Sequence, residues 1–207
     1  MKTLRLLVNE VEKIMAKNDP SHDFEHIKRV YRNAEKICKT EKVDKKLVLT
    51  AALLHDLISF PKSDKRSKTA STKSAIKAKK ILQKYHYTNN EIKIISDAIE
   101  CHSFSKNKTP KTLEGKVVQD ADRLDAIGAI GIARTFAVGG AEKRSFYNKS
   151  DPFCFSRKPN DHECTVDHFY KKLLLLESKM NTKSAKIEAK RRTKILKKFL
   201  SDLKKEI

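Results

Sequence analysis

Apolar residues in this 207-residue chain recur mostly at three-to-four spacing, and the chain carries only five Gly and five Pro to interrupt them. That spacing lines one face of a helix, so it argues for helices throughout. Lys, Glu, Leu, Ile and Ala dominate, a composition that favours helices over strands. The length suits one domain over 1–207 and buries a core without disulfides or structural zinc. The expected class is all-α, with about seven to eight helices.

Breakers and caps divide the pattern. Helices are expected at about Thr3–Lys17, Asp23–Lys39 and Asp44–Ile58, the last stopping before Pro61. A polar loop over Ser59–Lys68 follows, then a helix at Thr69–Tyr85. Thr88-Asn89-Asn90-Glu91 has capping-box spacing and opens a helix running to about His102. A sixth is expected from Leu113 to Val138, ended by Gly139-Gly140. Ala141–Glu163 shows no periodicity and is long for a structureless connection, as lids and binding loops are. It carries Phe146, Tyr147, Phe153 and Phe155, read mainly as packing residues. Two helices, at Val166–Met180 and Ser184–Lys205, close the chain and should pack on the body through Leu196, Phe199, Leu200 and Leu203.

Three segments place His and Asp where helix burial does not ask for them. His26 lies one turn from core-facing Val30. The apolar run Ala51-Ala52-Leu53-Leu54 ends in His55-Asp56, and a buried carboxylate is costly unless paired or metal-bound. Asp120, Asp122 and Asp125 interrupt an otherwise apolar helix, with Asp122 and Asp125 sharing a face. Imidazole and carboxylate donors suit Mn, Mg, Fe, Co or Ni in octahedral geometry. Zinc is less suggested, because no thiolate joins the set.

Lys and Arg outnumber Asp and Glu by 46 to 26, for a formal net charge of +20. Such a balance favours anionic partners. The lysines spread over the whole chain, which reads as solvation rather than a dedicated patch. No stacking platform or DNA-binding motif is evident, so nucleic acid is not favoured as a partner. Four cysteines without a C-x-x-C pair read as reduced thiols. No apolar run approaches the ~20 residues of a membrane span. The expectation is a soluble, cytoplasmic protein with no membrane partner.

At these residues the chain resembles the HD-domain superfamily of metal-dependent phosphohydrolases, whose pattern is a His, a His-Asp pair and a distant Asp. The resemblance implies an HD-domain helical bundle with one metal site, held by His26, His55, Asp56 and Asp122. Asp122 is preferred because the context Ala121-Asp122-Arg123-Leu124 is the family's. His22-Asp23-x-x-His26-x-x-Arg29-Val30, the His102-Ser103-Phe104-Ser105 run, Asp120 to Phe136, Asp151-Pro152-Phe153 and Asp167-His168-Phe169 are similar to the small bacterial YedJ/YpgQ-like group. That similarity implies a phosphorylated small-molecule substrate, a nucleotide above all, and nucleoside triphosphate pyrophosphohydrolase activity as the nearest chemistry.

Many superfamily hydrolases place a catalytic acid shortly after the His-Asp pair, and Leu57-Ile58-Ser59-Phe60 offers none. Asp23, Asp125 and His102 are therefore the nominated catalytic residues. His22, Lys62, Lys65 and Arg66 are nominated for substrate, Arg123 for support of a ligand carboxylate. A helix cap at His22-Asp23, a solvated loop at the basic residues and a hydrogen-bonded boundary at His102 are the bland alternatives. The competing functions are a nucleic-acid phosphodiesterase or binder, and a metal-binding regulator without turnover.

Overall fold

The computed structural model describes residues 2–15, 24–60 and 64–207. Among the described residues the chain is all-helical, as expected, with no strand and with nine α-helices where about seven to eight were expected. It divides into two compact units, Met1–Asp122 and Arg123–Ile207. Among the described residues no single helix is long and apolar enough to cross a membrane. Cys38, Cys101, Cys154 and Cys164 are all free thiols.

In the first unit, α1 (Lys2–Met15) and α2 (Phe24–Ile37) precede α3 (Lys45–Leu54). The α2 residues Ile27, Val30, Ala34 and Ile37 are buried at three-to-four spacing, as an amphipathic helix requires. In α3, every residue from Leu47 to Leu54 is buried. A helix apolar all round belongs at the centre of a core, and α1, α2 and α5 pack around it. Its start is set by Asp44, whose carboxylate accepts from the Lys46 and Leu47 N–H groups at 2.8 and 3.2 Å, a cap worth about 1 kcal/mol.

The segment expected as a loop before α4 (Ala70–Lys84) instead contains a 3-10 turn at Lys65–Thr69. Helix α5 (Asn89–Cys101) opens with the expected capping box. Thr88 Oγ accepts from Glu91 N–H, and the Glu91 carboxylate accepts from Thr88 N–H at 2.8 Å.

The sixth helix corrects the sequence reading. Leu113–Val138 is two helices, α6 (Leu113–Asp125) and α7 (Gly128–Ala141). Ile127 is extended, and Gly128 has φ +81°, a region glycine enters without a Cβ clash. The break is held from afar, because Arg192 Nη1 donates to the Leu124 carbonyl at 2.6 Å. Gly139-Gly140 does not stop α7, which continues to Ala141. Gly139 is a packing position: a Cβ there would lie 2.2 Å from Thr165 Oγ1.

The segment between α7 and α8 (Asp167–Lys171) is irregular apart from a parallel bridge, Ser145 with Cys164. Two buried aspartates organise it. Asp151 accepts from the N–H groups of Phe155 and Ser156 at 2.9 and 2.8 Å. Asp167 accepts from Arg157 Nη2 at 2.7 Å and from Asn160 N–H at 2.6 Å. Phe153 is buried, whereas Phe146 and Phe155 are exposed. The helix expected at Val166–Met180 is short. Lys172 leaves the helical region (φ −138°, ψ −58°), and 3-10 turns at Leu173–Leu175 and Glu177–Lys179 follow. Helix α9 (Lys183–Glu206) packs through Leu196 and Leu200, and Phe199 stacks on Phe169 with ring centroids 5.6 Å apart.

Candidate metal centre

Two helix ends in the first unit are built alike. His55 caps α3, and its Nδ1 lies 2.7 Å from the Ala52 carbonyl oxygen. A carbonyl only accepts, so Nδ1 carries the proton. The bond satisfies a carbonyl of the last turn, where a helix runs out of N–H partners. His102 caps α5 and donates from Nδ1 to the Ile99 carbonyl at 2.6 Å. Each ring is thereby locked, with Nε2 turned inward.

His26, on α2, meets these rings. Its Nε2 lies 3.2 Å from His55 Nε2, 3.7 Å from Asp56 Oδ2 and 3.6 Å from Asp122 Oδ1. His55 Nε2 lies 3.9 Å from each of the same two oxygens. Donors about 2.1 Å from a common ion stand about 3.0 Å apart when adjacent in an octahedron and about 4.2 Å when opposite. The five separations fall between those limits. The donor atoms of His26, His55 and Asp56 form a compact candidate metal site, and Asp122 Oδ1 faces both histidines from α6. His26 and His55 are almost fully buried, while the Asp56 and Asp122 side chains keep 13% and 24% of their exposure. The carboxylate side is therefore where solvent or a ligand reaches the cluster.

His102 stands behind the carboxylate. Its Nε2 is 3.5 Å from Asp56 Oδ1, the oxygen turned away from His26, and its ring meets that of His55 edge-on at 4.9 Å. Burial pushes the His55 pKa down to about 4, so the ring is neutral and its Nε2 offers a lone pair. Burial also disfavours a charged His102, but the carboxylates of Asp56 and Asp122 outweigh it and raise its pKa. Burial works against ionised Asp122 as well, and the three imidazoles outweigh it and lower its pKa.

Sequence reasoning missed the polar residues that hold this frame. Asn33, two turns beyond His26 and buried, donates from Nδ2 to the Ala121 carbonyl at 3.1 Å and ties α2 to α6 beside Asp122. Gln119, fully buried, donates from Nε2 to the carbonyls of Cys101 and Lys108, both at 2.8 Å, and ties α6 to the end of α5. Their signal was a polar residue at a core-facing helical position.

The nominated substrate and acid–base residues are placed less simply. His22, Asp23 and Lys62 lie outside the described residues. Lys65 is exposed in the 3-10 turn. Arg66 is clamped by Asp64, whose Oδ2 accepts from both Nε and Nη2 at 2.9 and 2.7 Å, and it covers the Phe60 ring at 4.8 Å. In the second unit, Asp125 is buried and ion-paired with Arg134 at 2.8 Å. Arg123, nominated to support a ligand carboxylate, donates through Nη1 to the Lys179 carbonyl.

An all-helical frame that gathers two imidazoles and two carboxylates from three helices is the architecture of a metal-dependent hydrolase. Residues 23–127 match the HD domain, and the chain belongs to that family of metal-dependent phosphohydrolases. YpgQ of Bacillus subtilis (strain 168) is 34% identical over 201 residues, covering 95% of this chain and 90% of its own. The crystal structure of an HD-superfamily hydrolase from Bacillus thuringiensis is 35% identical, with a TM-score of 0.76 over 99% of this chain and 96% of that one. The structure of Bacillus subtilis YpgQ in complex with ADP is 31% identical, with a TM-score of 0.75 over 100% and 95% of the two chains.

Proposed function

We propose that the chain hydrolyses a phosphoester or phosphoanhydride bond of a nucleotide, with a nucleoside triphosphate cut to release pyrophosphate as the first reaction to test. The convergence of His26 and His55 Nε2 on Asp56 Oδ2 and Asp122 Oδ1 carries this reading. The ADP bound by YpgQ supports the nucleotide.

In this reading His26, His55, Asp56 and Asp122 hold one divalent ion, with Mn the first choice and Mg, Fe, Co and Ni its competitors. Two nitrogens and two oxygens leave room in an octahedron for substrate and water. When bound, the ion supplies Lewis acidity to a phosphoryl oxygen and to the attacking water. The chain's own part is positioning. The Ala52 carbonyl orients His55. His102 steadies Asp56 from its far oxygen, and it is the catalytic candidate by position. Lys65 is the phosphate contact to test among the described residues, because Asp64 already holds Arg66.

The test is a hydrolysis panel of nucleoside mono-, di- and triphosphates and simple phosphoesters with Mn²⁺, with products separated by chromatography. Pyrophosphate from at least one triphosphate, lost with Asp56→Ala and with chelator, is the expected result. Full turnover by Asp56→Ala in chelator would overturn the reading.

A further inference from the structure

The lysines that look evenly scattered along the sequence are not scattered on α9. Lys183, Lys186, Lys190, Lys194 and Lys197 follow one another at three- and four-residue steps. At about 100° per residue they fall within about 80° of one another around the helix, and at about 1.5 Å per residue they span about 21 Å. All five are exposed.

Glu188 and Asp202 of α9 lie off this stripe and serve other cations. Glu188 takes Arg191 and Arg192, and Asp202 takes Lys198 and Lys205. Among the described residues, none of the five stripe lysines has an acidic partner. Elsewhere, exposed lysines do find one, as Lys45 does in Glu35, Lys46 in Glu91 and Lys84 in Glu10. Like charges three and four apart repel. Lys183 and Lys186 also sit in the first turn, where the helix dipole favours acids, and that turn has none. The stripe is thus a row of uncompensated charge on a rigid rod.

We propose that this face of α9 docks the phosphate backbone of a nucleic acid. A strand carries a phosphate about every 3.4 Å of helix axis, so the stripe's length faces about six of them. An acidic membrane fits less well. Helices that lie on membranes bury an apolar face in lipid, and the apolar face of α9 is spent on the protein's own core through Ala185, Ala189, Leu196 and Leu200. The inference is independent of the hydrolytic reading, since it uses none of the metal-centre residues.

The experiment is fluorescence anisotropy of the full chain against a labelled DNA duplex of about 20 base pairs, over a salt series. Binding should weaken steeply with salt. Changing the five stripe lysines to Gln should lower affinity about 100-fold and flatten the slope of log K against log salt by about 4.5, at about 0.9 per phosphate contact. A control with Lys36, Lys39, Lys42, Lys79 and Lys80 changed to Gln removes the same charge elsewhere and should change affinity less than about 5-fold. The double variant Lys190→Glu/Lys194→Glu, checked by circular dichroism, gives a second reading should the five-fold variant not fold, and should lose binding about as strongly. No binding by the wild-type chain, equal loss in the control, or a lysine-dependent preference for phosphatidylserine vesicles over the duplex would each overturn the proposal.

Discussion

The Nε2 atoms of His26 and His55 face each other at 3.2 Å, and the other nitrogen of His55 is committed to the Ala52 carbonyl. The bond to Ala52 decides the tautomer of His55, and the tautomer decides that its lone pair looks into the cluster. A long-range ¹H–¹⁵N spectrum of the metal-free protein should show His55 protonated at Nδ1. A proton resident on Nε2 would contradict the orientation assigned to this ring.

Removing one donor should uncouple metal from stability. A ligand that binds only the folded state at about 100 times its Kd adds about 2.7 kcal/mol. Mn²⁺ should therefore raise the Tm of the wild-type chain and leave that of Asp56→Ala nearly unchanged. Equal Tm shifts in both proteins would remove Asp56 from the metal site.

Asn33 should matter through the frame of the cluster, because its bond ties α2 to α6 beside Asp122. Asn33→Ala takes away a bond to the buried Ala121 carbonyl, at a cost of about 1–2 kcal/mol. It also frees α6 beside Asp122, so metal affinity measured by calorimetry should fall about 10-fold. Unchanged affinity would confine Asn33 to packing.

Asp151 makes the irregular segment before α8 acid-sensitive. The N–H groups of Ser156 and Phe155 hold its pKa down to about 2, below the roughly 3.9 of an unfolded chain. A depressed folded pKa stabilises fully above the unfolded value and ceases to do so as pH falls through the folded one. The Tm difference between wild type and Asp151→Asn should be largest above about pH 4 and shrink towards pH 2. A difference that is flat across that window would show that the carboxylate charge is not what the two N–H groups recognise.

The start of α7 tolerates no side chain at Gly131. A Cβ there would stand 2.3 Å from the Ala126 carbonyl oxygen, which is main chain and cannot swing away. Gly131→Ala should cost about 2–3 kcal/mol, read as a lower urea midpoint. Wild-type stability in this variant would mean that the turn relaxes freely.

Much of this molecule is legible without coordinates, because its signals are local. Three-to-four spacing marks α2, α5 and α9. Thr88 and Glu91 mark where α5 begins. A His-Asp pair ending the apolar run of α3 marks chemistry, since burial alone would not select it. Periodicity also shows that His26 and Asp122 lie on helices, and the family pattern names them. What periodicity cannot carry is the meeting of residues far apart in the chain. The break between α6 and α7 depends on Arg192 reaching the Leu124 carbonyl, 68 residues away. Gly139 reads as a helix stop until Thr165 is seen against it. That Arg66 pairs with Asp64 and covers Phe60 is likewise visible only in the structure. The lysines of α9 read as solvation until the helix winds them onto one face and directs the acids elsewhere. The residue types and their helical spacing were in the sequence. Only packing decided that the Asp56 and Asp122 oxygens come within 3.9 Å or less of the His26 and His55 Nε2 atoms, because a helix fixes the direction of its side chains and leaves the distance to its neighbours to the core.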